Sequence, residues 1–185
     1  MKKVIAILSL GIFFQSCNDD SVPRPTSQLR LEYPEPNYIV KESKYPFSLD
    51  VNEFSNIVTK TDGAVEVHYP KMKATVYLSY KTVNNDLEKL LTDAQKLTYK
   101  LHVIKADEII EQPYINSEKK VYGMFYSVGG DAASNALFYA TDSTKNFVTA
   151  SVYFYAKPNF DSILPASSYV AKDMKRMLET IKWEK

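Results

Sequence analysis

Two stretches of strict alternation constrain this chain more than anything else in it. In Ala74–Tyr80, Ala74, Val76, Leu78 and Tyr80 fall on one side of an extended segment, and Thr75, Tyr77 and Ser79 fall on the other. In Phe147–Ala156, Val148, Ala150, Val152, Phe154 and Ala156 oppose Thr149, Ser151, Tyr153 and Tyr155. Successive side chains of a strand point to opposite faces of its sheet, so both stretches predict strands with an apolar face to bury and a hydroxyl-rich face.

The remaining chain supplies the partners such strands need. Further strands are expected at Leu29–Tyr33, Pro46–Val51 and Asn56–Lys60. After an Asp62-Gly63 turn another follows at Ala64–Tyr69, where Val65, Val67 and Tyr69 share a face and Glu66 and His68 point the other way. Lys119–Val128 is apolar on both faces, the pattern of a central strand. Gly129-Gly130-Asp131 then opens a loop to Asn135, and Ala136–Thr141 is the next strand. A helix is predicted over Asp86–Lys105, with Asn85 as N-cap, Glu88 three residues on, and Leu87, Leu90, Leu91, Ala94, Leu97 and Leu101 at helical spacing. A closing helix over Pro165–Trp183 presents Val170, Met174, Met177, Leu178 and Ile181, with Pro165 in its first turn. This order predicts an α+β fold: a single-domain sandwich with a mainly antiparallel sheet and two main helices.

Met1–Cys17, MKKVIAILSLGIFFQSC, has a different character. Lys2 and Lys3 follow the initiating Met1, Val4–Phe14 is an apolar run interrupted only by Ser9 and Gly11, and Cys17 is the only cysteine of the chain. The run is shorter than the ~20 residues a membrane-spanning helix needs, and suits the core of a secretory signal. Apolar Phe14 three residues before Cys17, and small Ser16 directly before it, mark Cys17 as a lipid attachment site. The expected boundaries are a signal peptide at 1–16, a lipidated tether at 17–28 and the α+β domain at 29–185. Each buried CH₂ contributes roughly 0.8 kcal/mol, so two or three acyl chains such as palmitate hold a domain to a membrane durably. The tether, NDDSVPRPTSQ, is polar and broken by Pro23 and Pro25. Removing residues 1–16 takes two lysines, leaving 21 Lys+Arg (23 − 2) against 22 Asp+Glu. That balance points away from nucleic acid as a partner.

Several runs carry a resemblance: LRLEYP, HYPKMKATVYLSYK, DAQKLTYK, KADEIIEQPYINSEKKVYGMFYSVGGDAAS, TDSTKNF and YFYAKPNFDSILPASSY. With the lipoprotein signal they make the chain similar to the gliding-motility lipoprotein GldD family over nearly all of Leu29–Trp183. The resemblance implies an envelope lipoprotein needed for gliding and for the linked type IX secretion machinery, whose proteins would be its partners. The expected location is a lipid anchor at the outer membrane facing the periplasm; Asp19 and Asp20, directly behind Cys17, are either a sorting signal toward the cell surface or part of a solvated linker. The resemblance carries over Cys17 alone and supplies no catalytic residue or cofactor. At fold level only, the element order is similar to the small sandwich of the PsbP and Mog1 group.

The residues themselves offer little chemistry. His68 and His102 are the two histidines, without His-x-x-x-His or cysteine-pair spacing, and Asp107, Glu108 and Glu111 lack the spacing of a calcium loop. No Gly-x-Ser-x-Gly elbow appears, and Gly129-Gly130 lacks the lysine and glycine spacing of a phosphate loop. No catalytic, metal or cofactor-binding set is therefore expected. Fourteen tyrosines against one tryptophan are the more telling feature. Tyr77, Tyr153 and Tyr155 lie on strand faces opposite the apolar ones, and form a protein-docking surface if no helix covers them. Three classes stay open: a non-enzymatic accessory acting through protein contacts, a binding module for an envelope glycan or lipid, and a hydrolase.

Overall fold

The computed structural model describes residues 32–60, 64–102, 106–155 and 160–184. Their strands are β1 (Tyr38–Glu42), β2 (Phe47–Asn52), β3 (Asn56–Thr59), β4 (Val65–Tyr69), β5 (Ala74–Thr82), β6 (Ala106–Asn116), β7 (Val121–Gly130), β8 (Ala136–Thr141), β9 (Asn146–Phe154) and β10 (Lys182–Trp183). The helices are α1 (Leu87–His102) and α2 (Phe160–Thr180).

The two alternating stretches, β5 and β9, lie side by side at the middle of a seven-stranded antiparallel sheet ordered β3-β4-β5-β9-β8-β7-β6. Their register sets Val76 opposite Val152 and Leu78 opposite Ala150 on one face, and Thr75 opposite Tyr153 and Tyr77 opposite Ser151 on the other. A slip of one residue would turn the apolar set to solvent, so burial of that face enforces this pairing.

Two elements cover the apolar face. Over β4 and β5 lies a small antiparallel sheet, β1-β2-β10, whose Phe47, Leu49 and Val51 pack in one cluster with Val67, Val76 and Leu78. Beside it α2 crosses β7, β8 and β9 and also packs on β2. Its Val170, Met174, Met177 and Leu178, with Ile181 just after it, are all buried, a set that at ~1.5–3 kcal/mol per large apolar side chain contributes on the order of 10 kcal/mol. Against that sum the ~3 kcal/mol cost of a proline inside a helix is tolerable, and Pro165 does lie within α2.

On the opposite face, α1 sets Leu90 and Ala94 against Val83 and Phe147, and Leu97 into a cluster with Tyr126, Val128 and Leu137. These contacts belong to the β7-β8-β9 part of the sheet. The fold is thus three layers thick at that end and two layers thick over β4 and β5.

The β8–β9 hairpin is closed by one side chain. Asp142 Oδ1 accepts the backbone N–H of Thr144 (2.9 Å), Lys145 (2.7 Å) and Asn146 (2.8 Å), and Oδ2 accepts Asn146 Nδ2 (2.7 Å). Ser143 sits at φ 66°, a left-handed conformation that this short loop requires.

Several local expectations need correction. β1 and β6 were not foreseen as strands. β6 is the sheet's edge, where acidic residues and Pro113 are tolerated because one side of the ladder faces outward. Glu32 and Tyr33 form no strand, and residues 29–31 of that expected element lie outside the described ones, as does the Asp62-Gly63 turn. Asn85 is not the N-cap of α1; it takes φ 58°, and Asp86 occupies the position before Leu87. α2 begins one turn before Pro165 and stops at Thr180, after which Lys182 and Trp183 pair with Ser48 and Phe47 of β2.

Candidate functional site

The three tyrosines singled out by alternation come together. Tyr77 and Tyr153 meet edge to face, with ring centroids 5.7 Å apart, and the Tyr77 and Tyr155 hydroxyls are 3.1 Å apart. Tyr155, just past β9, is held by its backbone N–H to the Lys73 carbonyl (2.7 Å), and its side chain is 60 % exposed. Tyr77 and Tyr153 are half-buried. The apolar contacts of α1 go elsewhere on this face and α2 lies on the opposite one.

The tyrosines end a hydrogen-bonded chain that runs across β4 and β5. Thr75 Oγ1 is 3.1 Å from both the Tyr155 hydroxyl and His68 Nδ1, and His68 Nε2 is 2.9 Å from Glu66 Oε2. Lys60 Nζ reaches the same carboxylate oxygen at 3.4 Å. Glu66 is buried, so these two partners compensate a charge that would otherwise be costly. Bonds from Thr75 and Tyr77 hold the Tyr155 hydroxyl below the usual tyrosine range. Tyr77, whose hydroxyl shares a bond with that of Tyr155, is pushed up to about 12 by that bond and then by partial burial.

Carboxylate, imidazole and hydroxyl in this order have the sequence of roles found in a hydrolytic triad. Thr75, however, is 0 % exposed, so its hydroxyl has no open approach to a carbonyl carbon, and its second bond goes to Tyr155 instead. The arrangement ties the tyrosine tips to β4 and β5. Among the described residues, no group of three His, Cys, Asp or Glu side chains is placed to hold a metal ion. Gly129 and Gly130 end β7 in its ladder with β6, and Asn135 Nδ2 donates to the Val128 (3.1 Å) and Gly130 (3.3 Å) carbonyls.

A second polar centre lies where the first described residues meet α2. Asp173, 1 % exposed, accepts Tyr38 O–H at Oδ1 (2.7 Å) and Asn52 Nδ2 at Oδ2 (2.8 Å), and burial pushes its carboxyl above the usual range. Asn52 Nδ2 also donates to the Tyr169 hydroxyl (2.9 Å), which in turn donates to the Pro34 carbonyl (2.9 Å). A groove of about 330 Å³ opens here, lined by Tyr33, Pro34, Glu35, Pro36, Pro165, Ser168, Tyr169, Lys172 and Asp173.

Sequence reasoning placed the tyrosines but treated His68 as isolated. The link to Thr75 is cross-strand: the β4–β5 register sets His68 opposite Thr75 and Glu66 opposite Tyr77. Period-two spacing of Glu66 and His68 was the available signal. The Asp173 centre had none, because its members come from opposite ends of the chain. Cys17 lies outside the described residues, as does the side chain of His102.

Among the described residues, no helix is long and apolar enough to cross a membrane. No curated protein matches the chain. Residues 18–183 match the family model described as gliding motility lipoprotein GldD. That span takes in every described strand and helix and both polar centres. The chain belongs to the gliding motility lipoprotein GldD family, and is a membrane-anchored protein of the cell envelope.

Proposed function

We propose that this lipoprotein is a non-enzymatic accessory of the gliding machinery and of the linked type IX secretion apparatus, acting through protein contacts on its Tyr77–Tyr153–Tyr155 face. The observation that supports this is Tyr155, 60 % exposed on a face that α1 packs beside and α2 leaves alone. Tyrosine gives large contact area with few rotatable bonds. Here the chain from Lys60 to Tyr77 fixes its tip before a partner arrives, which lowers the ordering cost of binding. Cys17 carries the acyl anchor, at the outer membrane and facing the periplasm. Glu32 lies fifteen residues after Cys17 (32 − 17), a reach of at most roughly 50 Å, so the partner lies close to the same membrane.

The test is a chromosomal Tyr77→Ser, Tyr155→Ser double variant. Gliding and secretion should fail while the protein stays membrane-bound and folded. Undiminished gliding in that strain would remove the tyrosine face from the account. The Glu66–His68–Thr75 order motivates a hydrolytic reading, which His68→Gln separates: gliding persists if the chain only stiffens the surface. Loss of gliding by a folded His68→Gln protein would favour chemistry.

A further inference from the structure

We propose that the groove between Tyr33–Pro36 and α2 is a saccharide site that takes one short stretch of a neutral glycan. It is separate from the tyrosine face and does not depend on that face's role.

The groove's volume, about 330 Å³, falls at the low end of the ~300–1,000 Å³ range of small-molecule sites. Its walls combine two chemistries. Tyr33, Tyr169 and three prolines give apolar ring surfaces, the kind on which the C–H faces of a pyranose stack. Ser168, Lys172 and Glu35 supply donors and acceptors in the same small volume. One ring of its wall is clamped, since the Tyr169 hydroxyl accepts from Asn52 and donates to Pro34, and Tyr33 packs against it at 5.4 Å with a 54° tilt. A binding surface fixed in this way loses little freedom when occupied.

Other ligand classes fit less well. An acyl chain would leave the lysine and carboxylate groups desolvated and unpaired. An anion would meet one ammonium, Lys172, against the carboxylates of Glu35 and Asp173. A sugar hydroxyl both donates and accepts, and so suits a wall that carries both signs. A proline-rich peptide could use the rings but not the charged rim, and it is the competitor the test must exclude.

The experiment is calorimetric titration of the full mature chain in detergent micelles with chitotriose, maltotriose and a proline-rich decapeptide. A saccharide should bind saturably with Kd at or below about 1 mM. Ser168→Trp, an exposed helix position that would fill the groove, should weaken it at least about tenfold, and Tyr155→Ser should leave it unchanged. Lys172→Ala, also exposed, replaces Ser168→Trp if the bulky variant melts early. Absence of heat with both sugars, binding indifferent to the groove variants, or binding of the peptide alone would overturn the proposal.

Discussion

Gly123 offers the sharpest test of the packing. It lies in β7 opposite Ala140 of β8, and a Cβ built there would overlap the Tyr139 carbonyl oxygen and lie 3.3 Å from both Ala140 Cα and Leu178 Cδ1. Only the Leu178 side chain could rotate away; the other two atoms belong to the backbone of the paired strand. Overpacking a core costs about 1–3 kcal/mol, and because relief here requires moving a central ladder, Gly123→Ala should fall at the upper end, about 3 kcal/mol. For a domain of this size 1 kcal/mol shifts the melting temperature by ~2–4 °C, so the variant should melt roughly 6–12 °C lower. Gly129 in the same strand is the control: its added Cβ would have nothing nearer than Glu108 at 3.9 Å. Gly129→Ala should be neutral, or stabilise by up to about 1 kcal/mol through the unfolded chain. Thermal melts followed by circular dichroism, with urea midpoints at matched slope, measure both. If Gly123→Ala melts within about 2 °C of the parent, or Gly129→Ala falls equally far, the close approach of β7, β8 and α2 is misplaced.

Two further outcomes follow from the acidic side chains. Burial pushes the Asp142 carboxyl up, but the N–H groups of Asn146, Lys145 and Thr144 outweigh it and hold the carboxyl below its ordinary 3.8. Its stabilisation is therefore complete above pH 3.8 and lost as pH falls through the lowered folded value; Asp142→Ala should cost about 1–3 kcal/mol at neutral pH by urea unfolding, and a variant with an unchanged midpoint would show that the hairpin closes without it. Asp173 has the opposite sign, because burial raises its folded pKa above 3.8. The folded state then holds the proton more tightly, so its contribution is full below pH 3.8 and declines as pH rises through the raised value. Compared with Asp173→Asn over pH 3–7 by urea unfolding, the parent should lose ground steadily as pH rises, and a constant gap would mean that Asp173 does not titrate above its ordinary range.

Much of the sheet was legible because burial imposes a period of two. β2, β3, β4, β5, β8 and β9 lie within a residue or two of their expected ranges, and the helical leucine stripe lands on the sheet as expected. β6 was not legible for a physical reason: an edge strand needs no apolar face on every turn of the pleat, and Asp107, Glu108, Glu111 and Pro113 leave a pattern that resembles a loop. The tyrosine face was legible from alternation, but its stiffening was not, since it depends on which residue of β5 stands opposite His68. Asp173 was hidden altogether. On the sequence it is one acid in a helix, and only the fold brings Tyr38 and Asn52, 135 and 121 residues away, to its two oxygens.

The position of α2 along the chain has a consequence for biogenesis. A polypeptide delivered across a membrane from its leading end presents β2, the β7–β9 strands and their apolar face well before the helix that covers them. Met174, Met177, Leu178 and Ile181 are the side chains that complete the central cluster, and β10 then seals the second edge of β2. That delay leaves an apolar sheet open until α2 arrives, and a holding chaperone would find its target there.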